Sequence, residues 1–410
     1  MINLVLRNTT DTIYGRGSVS RVAELVKQHG GTKVLLHHVS EDFIKPLVKE
    51  IQELLENAGI ATVDLGGVVP NPRLSTVYEG IELCRREKVD FILAIGGGSS
   101  IDSSKAIAIG VPYDGDVWDF FTMKAIHKAA LPVGVVSTFA ATGSECTVGT
   151  VITKEDEQLK RGVEDDNNHV MIRPKFAILD PVLTFTAPPF QTASGTADII
   201  SHLCENYFSA DPDNDFSDHL CEAGLKTAIK FGPMVLNTPD DYEARGALMF
   251  LSGYAINGYL KFGRHGDWNC HALEHEMGGE WDIPHGAGLA IVTPHWMRYI
   301  YKNHLSLFIK FATSVFGIPY DADDPEKTAL AGISALEDVF FKKLCLPSNL
   351  RALGVPEEKM TDEILHKICN NIFYYGTDVV GDLHPLREPD FFTILKKCIW
   401  FKRKGERADD

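Results

Sequence analysis

The chain contains no Cys-x-x-Cys pair. Its eight cysteines, at 84, 146, 204, 221, 270, 345, 369 and 398, follow no regular spacing. This argues against a thiolate zinc site and a disulfide framework, and for buried, reduced thiols in a cytosolic protein. Positive charge is scarce: 40 basic against 56 acidic residues leave a formal net charge of −16. A surface of that sign repels nucleic acid and anionic membranes, so neither is an expected partner. The one basic cluster, "FKRKGER", is short and has two aspartates after it. Long apolar runs are missing too. Nowhere do roughly eighteen apolar residues stand together, as a spanning helix requires. The start, "MINLVLRNTT", lacks a basic segment followed by a long apolar one, so no signal peptide is expected and the expected location is the cytoplasm. Two nucleotide signatures, G-x-G-x-x-G and the G-x-x-x-x-G-K loop, do not occur at the glycine-rich stretch described below.

What is present is an ordinary globular composition, 44% hydrophobic and 23% charged, over 410 residues. That length suffices for two domains. In the first 180 residues, strand-like and helix-like patterns alternate. "TKVLLHHV" (32–39), "ATVDLGGV" (61–68), "VDFILAI" (89–95) and "LPVGVVSTF" (131–139) read as strands, and 44–59 and 73–88 as helices. Alternation predicts a mostly parallel, Rossmann-like sheet with helices on both faces and ligands beyond the carboxyl ends of its strands. After "FAILDP" (176–181) and the break "TAPPF" (186–190), the periodic segments 192–208, 216–231, 242–261 and 362–374 look helical. The reading is an α/β domain over 1–185 followed by an all-α domain over 186–410.

Two stretches at strand ends suggest a phosphate-bearing ligand. "FILAIGGGSSIDSSKAIAI" (91–109) runs strand, three glycines, two serines, then helix. Glycines let backbone approach a ligand, and the amides and dipole of the following helix favour an anion such as pyrophosphate. The alternative is a strand-to-helix turn with no ligand. "STFAATGSE" (137–145) follows another strand and offers Thr138, Thr142, Gly143 and Ser144. Two such loops suit one extended cofactor.

The histidines suggest a metal. Asp198 and His202 are four apart in a helical pattern and share a face, which Glu205 extends. His271 and His275 are one helical turn apart, and His285 follows an expected loop, "WDIPHG". Asp198, His202, His271 and His285 make a one-carboxylate, three-imidazole set from two helices and a loop. Such a set suits Fe²⁺ or Zn²⁺ better than oxygen-seeking Ca²⁺ or Mg²⁺. The alternative is core histidines satisfied by backbone carbonyls.

Four ordered motifs together resemble the iron-containing, or group III, alcohol dehydrogenases, and within them the butanol dehydrogenase and aldehyde reductase branch. They are "GGGSSIDSSKAIA", "DVWDFF" with "ATGSE", "FAILDPVLTFTAPPFQTASGTADIISH", and "GDWNCHALEHEMGGEWDIPHGAGLAIVTPHWM". The resemblance spans nearly the whole chain. It implies a dinucleotide-binding α/β domain and a helical metal-binding, catalytic domain. Asp198, His202, His271 and His285 become ligands of one Fe²⁺ or Zn²⁺ ion. Gly96, Gly97, Gly98, Ser99 and Asp102 belong to the cofactor loop, with the glycines and Ser99 on the pyrophosphate. Thr138, Thr142 and Ser144 line the nicotinamide side, and Lys160 approaches the ribose. NAD-using members often carry Asp after the second strand, where NADP-using relatives of this branch have glycines and serine. Here Val39 and Ser40 stand there, with Glu41 and Asp42 beyond. Ser40 can donate to a 2′-phosphate, which favours NADP over NAD.

The implied reaction is reversible hydride transfer between nicotinamide and a small primary alcohol or aldehyde such as butanol or butanal. Three rivals are a dehydroquinate-synthase-like enzyme, a glycerol-dehydrogenase-like enzyme, and a non-enzymatic binding protein. The first needs a basic pocket, and 240–295 supplies only Arg245, Lys261, Arg264 and histidines. The second is more weakly liganded, whereas His202 is present here. His275, flanked by Glu274 and Glu276, is left over from the ligand set; it is read as a catalytic residue of the cleft that relays the alcohol proton, or else as a group that only orients a ligand. An N-terminal hairpin with an "NTTD" turn would leave an exposed edge, and a second copy covering it would give a homodimer.

Overall fold

The computed structural model describes residues 6–164, 171–211, 214–374 and 376–400. Its strands are β1 (Asp11–Tyr14), β2 (Lys33–Val39), β3 (Ala61–Val68), β4 (Phe91–Gly96), β5 (Val133–Ser137), β6 (Gly149–Lys154), β7 (Leu159–Glu164) and β8 (Phe176–Leu179). Helices α1 (Val22–Gln28), α2 (Lys45–Asn57), α3 (Leu74–Glu87), α4 (Gly98–Gly110) and α5 (Trp118–Phe121) lie among them. The rest is α6 (Pro189–Tyr207), α7 (Asp215–Asn237), α8 (Tyr242–Ile256), α9 (Asn269–Trp281), α10 (His285–Ile300), α11 (Leu305–Phe316), α12 (Pro325–Asp338), α13 (Asp362–Asn371) and α14 (Glu388–Ile399).

Six strands form one all-parallel sheet in the order β1-β8-β5-β4-β2-β3. Side-chain alternation splits its core in two. Phe91, Leu93 and Ile95 of β4 pack with Val22, Val26, Ile51 and Leu55 of α1 and α2. Ile92 and Ala94 pack with Val77, Ile81, Ile101 and Ile107 of α3 and α4. A strand buried on both faces must be apolar throughout, which is why β4 reads as a continuous hydrophobic run. From β2 the chain proceeds outward to β3; from β4 it proceeds the other way to β5. The crevice between these two strand ends is where open sheets of this kind bind ligands.

Among the described residues β1 stands at the sheet edge, parallel to β8; the expected hairpin would pair it with an earlier segment. Part of that hairpin falls on residues 1–5, outside the described residues. β6 and β7 make a separate antiparallel pair that the sequence reading missed.

From α6 onward the described residues are helical, with a single isolated bridge between Val380 and Leu386. Every residue of α6 from Thr192 to Tyr207 is buried, and α7, α8, α9 and α10 pack around it. α8 ends earlier than its pattern suggested: Gly258, at φ +100°, breaks it before the short turn Tyr259–Lys261. Among the described residues, no helix is long and apolar enough to cross a membrane.

Candidate active site

The glycine loop sits at the crevice. β4 ends at Gly96, Gly97 is extended, and α4 starts at Gly98 with no side chain capping its first turn. The Ser100 amide donates to the Gly97 carbonyl at 3.1 Å, which leaves the amides of Gly98 and Ser99, without an acceptor within the helix, available to an anion. A Cβ on Gly98 would lie 2.5 Å from Thr142 Oγ1, and one on Gly97 3.1 Å from Phe139 Cβ. The two loops predicted to share a cofactor therefore touch, and the Thr138 amide donates to the Gly96 carbonyl at 3.1 Å. Ser99, Thr138 and Thr142 are half-buried at this junction.

Two residues expected at the cofactor, Asp102 and Ser144, also hold the loops together. Ser144 Oγ donates to Asp102 Oδ1 at 2.5 Å, and Asp102 Oδ2 accepts from the Val151 amide at 3.1 Å. Lys105, fully buried, donates to the Ser144 carbonyl and hydroxyl at 2.6 and 2.8 Å and to the Gly149 carbonyl at 2.8 Å. Burial pushes its ammonium down to about 8, with Asp102 and Glu145 opposing the shift. The sequence reading quoted Lys105 within the motif and gave it no role; it fastens α4 to the second loop. Ser40 lies exposed beyond β2, and its neighbour Asp42 is paired with Lys45 at 2.5 Å.

The second loop leads to the histidines. A Cβ on Gly195 of α6 would lie 2.4 Å from the Ala140 carbonyl oxygen, so loop and helix are in contact three residues before Asp198. Asp198 and His202 follow on one face of α6; His271 and His275 are on α9. His285 is not on a loop, as its sequence context suggested, but is the first residue of α10. Asp198 Oδ1 lies 3.5 Å from His202 Nδ1, 3.7 Å from His271 Nε2 and 3.6 Å from His285 Nε2. Donor atoms of Asp198, His271 and His285 all lie within 4.8 Å of one another. His202 stacks on His271, ring centroids 4.5 Å apart.

These separations are too long for hydrogen bonds. They match donors sharing an ion: ligands about 2.0–2.2 Å from a tetrahedral metal stand roughly 3.3–3.6 Å from each other. Asp198 Oδ1, His202 Nδ1 and His271 Nε2 are buried without a hydrogen-bond partner among the described residues. Leaving such atoms orphaned is costly, and a divalent cation satisfies them together. The donor set thus fits a metal ion.

Two carboxylates brace the imidazoles. Glu205 Oε2 faces His271 Nδ1 at 2.7 Å, while its Oε1 accepts from the amides of Cys270 and His271 at 2.7 and 3.1 Å. Glu274, fully buried, bonds His285 Nδ1 in the same way. Each carboxylate fixes its ring's tautomer and turns the other nitrogen toward Asp198. Burial lowers the His271 imidazole, but Glu205 and Asp198 outweigh it and raise it to about 10. The sequence reading noted Glu205 and Glu274 as neighbours without seeing this role.

Lys160, on β7, has its amine 3.4 Å from Glu274 Oε2 and 3.5 Å from His285 Nδ1. Those contacts place Lys160, expected to approach the ribose, beside the histidine cluster. Next to it Arg161 pairs with buried Glu276 and tethers the β6–β7 pair to α9. His275 is half-buried, with its ring 6.2 Å from that of His271 and 5.5 Å from that of His285. It makes no hydrogen bond among the described residues, and burial pushes its imidazole well below the usual range.

The turn between α9 and α10 is held to the sheet: Asn71 donates to Asp282 at 2.9 Å, and Arg73 pairs with Asp282 at 2.7 Å. This tether and the contact of the second loop with α6 set the nucleotide loops beside the histidine cluster.

The sequence model for iron-containing alcohol dehydrogenase matches residues 9–181, and that for the C-terminal part of the family matches residues 192–373. NADH-dependent butanol dehydrogenase A of Clostridium acetobutylicum is 40% identical over 95% of this chain and 97% of its own. NADPH-dependent aldehyde reductase YqhD of Escherichia coli is 32% identical over 87% of this chain and 90% of its own. The crystal structure of NADH-dependent butanol dehydrogenase A from Thermotoga maritima superposes with a TM-score of 0.90 at 37% identity, covering 97% of this chain and 99% of that one. With both halves matched and the donor set in place, the chain belongs to the iron-containing alcohol dehydrogenase family.

Proposed function

We propose that the protein is a metal-dependent, NAD(P)H-linked alcohol dehydrogenase and aldehyde reductase acting on small primary alcohols and aldehydes such as butanol and butanal. The observation that carries this reading is the pairing, across one cleft, of an uncapped glycine-loop helix with an orphaned carboxylate–imidazole set. Residues 1–185 hold the nucleotide and 186–410 hold the metal. Amides of Gly97, Gly98 and Ser99 bind the pyrophosphate, and Thr138 and Thr142 flank the nicotinamide. Asp198, His202, His271 and His285 hold one Fe²⁺ or Zn²⁺ ion, which supplies Lewis-acid polarisation of the carbonyl and eases loss of the alcohol proton. Glu205 and Glu274 keep His271 and His285 oriented. His275, free of protein hydrogen bonds, accepts the alcohol proton and passes it to solvent. The exposed Ser40 favours a 2′-phosphate, while named relatives use either coenzyme; comparing kcat/KM for NADPH and NADH decides between them.

The edge strand β1 is covered by a second copy, giving a homodimer. The eight cysteines are all unpaired, in keeping with a reducing cytoplasm.

The test mixes the purified protein with butanal and each reduced coenzyme and follows the nicotinamide absorbance. Oxidation of the coenzyme that stops on chelation and returns with Fe²⁺ or Zn²⁺ is expected. Absence of turnover with both metals and both coenzymes would contradict the reading.

A further inference from the structure

Lys261 ends the turn Tyr259–Lys261 that follows α8. It is half-buried, and its ammonium lies 5.1 Å from the centroid of the Trp268 indole. The same indole stands 5.4 Å from the His271 ring and 6.1 Å from the His202 ring, centroid to centroid. One side chain thus separates a fixed positive charge from two of the four proposed metal-holding groups.

In a chain with a net charge of −16, this ammonium has no carboxylate within ion-pairing distance among the described residues. Its cationic neighbours are committed. Arg264 is buried against Asp218 and the carbonyls of Asn206 and Asn214. Lys310 is paired with Asp215 and Asp218. A half-buried cation left unpaired beside a reaction centre is a receptor for an anion brought by the substrate.

We propose that Lys261 makes the enzyme favour aldehydes that carry a carboxylate at the end remote from the carbonyl. The proposal rests on the dehydrogenase reading above. The carbonyl lies at the histidine cluster, a short carbon chain runs along the Trp268 indole, and the carboxylate reaches Lys261. In the reaction the carbonyl carbon gains hydride from the reduced nicotinamide, which becomes oxidised. The oxygen gains a proton, and the carboxylate is unchanged. A carboxylate suits the site better than a phosphate, because a single ammonium matches one negative charge and, among the described residues, the nearby Arg264 guanidinium is already committed to Asp218.

The experiment measures kcat/KM for 4-oxobutanoate and for butanal with the wild type, Lys261→Met and Lys261→Arg. The wild type is expected to prefer 4-oxobutanoate. Lys261→Met should lower the ratio of the two kcat/KM values about 10- to 100-fold, the loss appearing chiefly in KM for 4-oxobutanoate. Lys261→Arg should keep most of the preference. Reduction of both aldehydes with the same ratio in the wild type and Lys261→Met overturns the role of Lys261 and leaves the dehydrogenase reading standing. Reduction of neither by the wild type overturns that reading, and this proposal with it.

Discussion

Asp198 Oδ1 meets a nitrogen from each of three imidazoles at 3.5, 3.6 and 3.7 Å, and bonds to none. The meaning of each histidine lies in what its ring faces. His271 and His285 each have a carboxylate behind them and Asp198 in front; His202 is held by its stack on His271 and its place one turn along α6. His275 has no carboxylate bonded to it and does not face Asp198, although its donor atom lies within 4.8 Å of those of Glu274 and His285. This difference was not visible in "CHALEHEMGGEWDIPH", where His271, His275 and His285 look alike. It separates them by experiment. His275→Ala should keep its metal and lose about 100-fold or more in kcat, with partial rescue by added imidazole. A variant that loses metal, yet turns over normally when metal is resupplied, would make His275 a structural support.

At the scale of elements, the site depends on how closely α10 crosses α6. A Cβ on Gly286 would lie 1.9 Å from the Ser194 carbonyl oxygen, one turn before Asp198. The glycine after His285 is therefore what lets the two helices bring His285 to Asp198. Gly286→Ala should force them apart, with a loss of about 1–3 kcal/mol in unfolding free energy and weaker metal retention. Denaturant unfolding with metal analysis checks it; unchanged stability and metal content would show that the helices can yield. Such crossings are illegible in sequence, because a glycine announces neither what approaches it nor from where. Elements with strong periodicity were legible: β2, β3 and β4 fall within two residues of the strands read from "TKVLLHHV", "ATVDLGGV" and "VDFILAI". The β6–β7 pair was not, since "LKRGVE" mixes charge with few apolar residues, and its Lys160 and Arg161 are buried only because Glu274 and Glu276 meet them. The pairing of β1 with β8 was not legible either: four residues, "DTIY", carry too little pattern to reveal so distant a partner.

Across the whole molecule, the sheet places the nucleotide loops and the helices place the donor set; neither half is complete alone. Family membership was legible because the motifs sit at turns and helix faces where chemistry restricts the residue types. Asp102 and Ser144 show that residues of the same motifs also hold the loops together. The central claim is that Asp198, His202, His271 and His285 hold one ion at the cleft. It is tested most directly by metal content per chain, measured side by side for the wild type and His285→Ala after anaerobic loading with Fe²⁺ or Zn²⁺. One ion per wild-type chain and a small fraction of that in the variant is the expected result. A variant that retains one ion per chain with full activity would contradict the account.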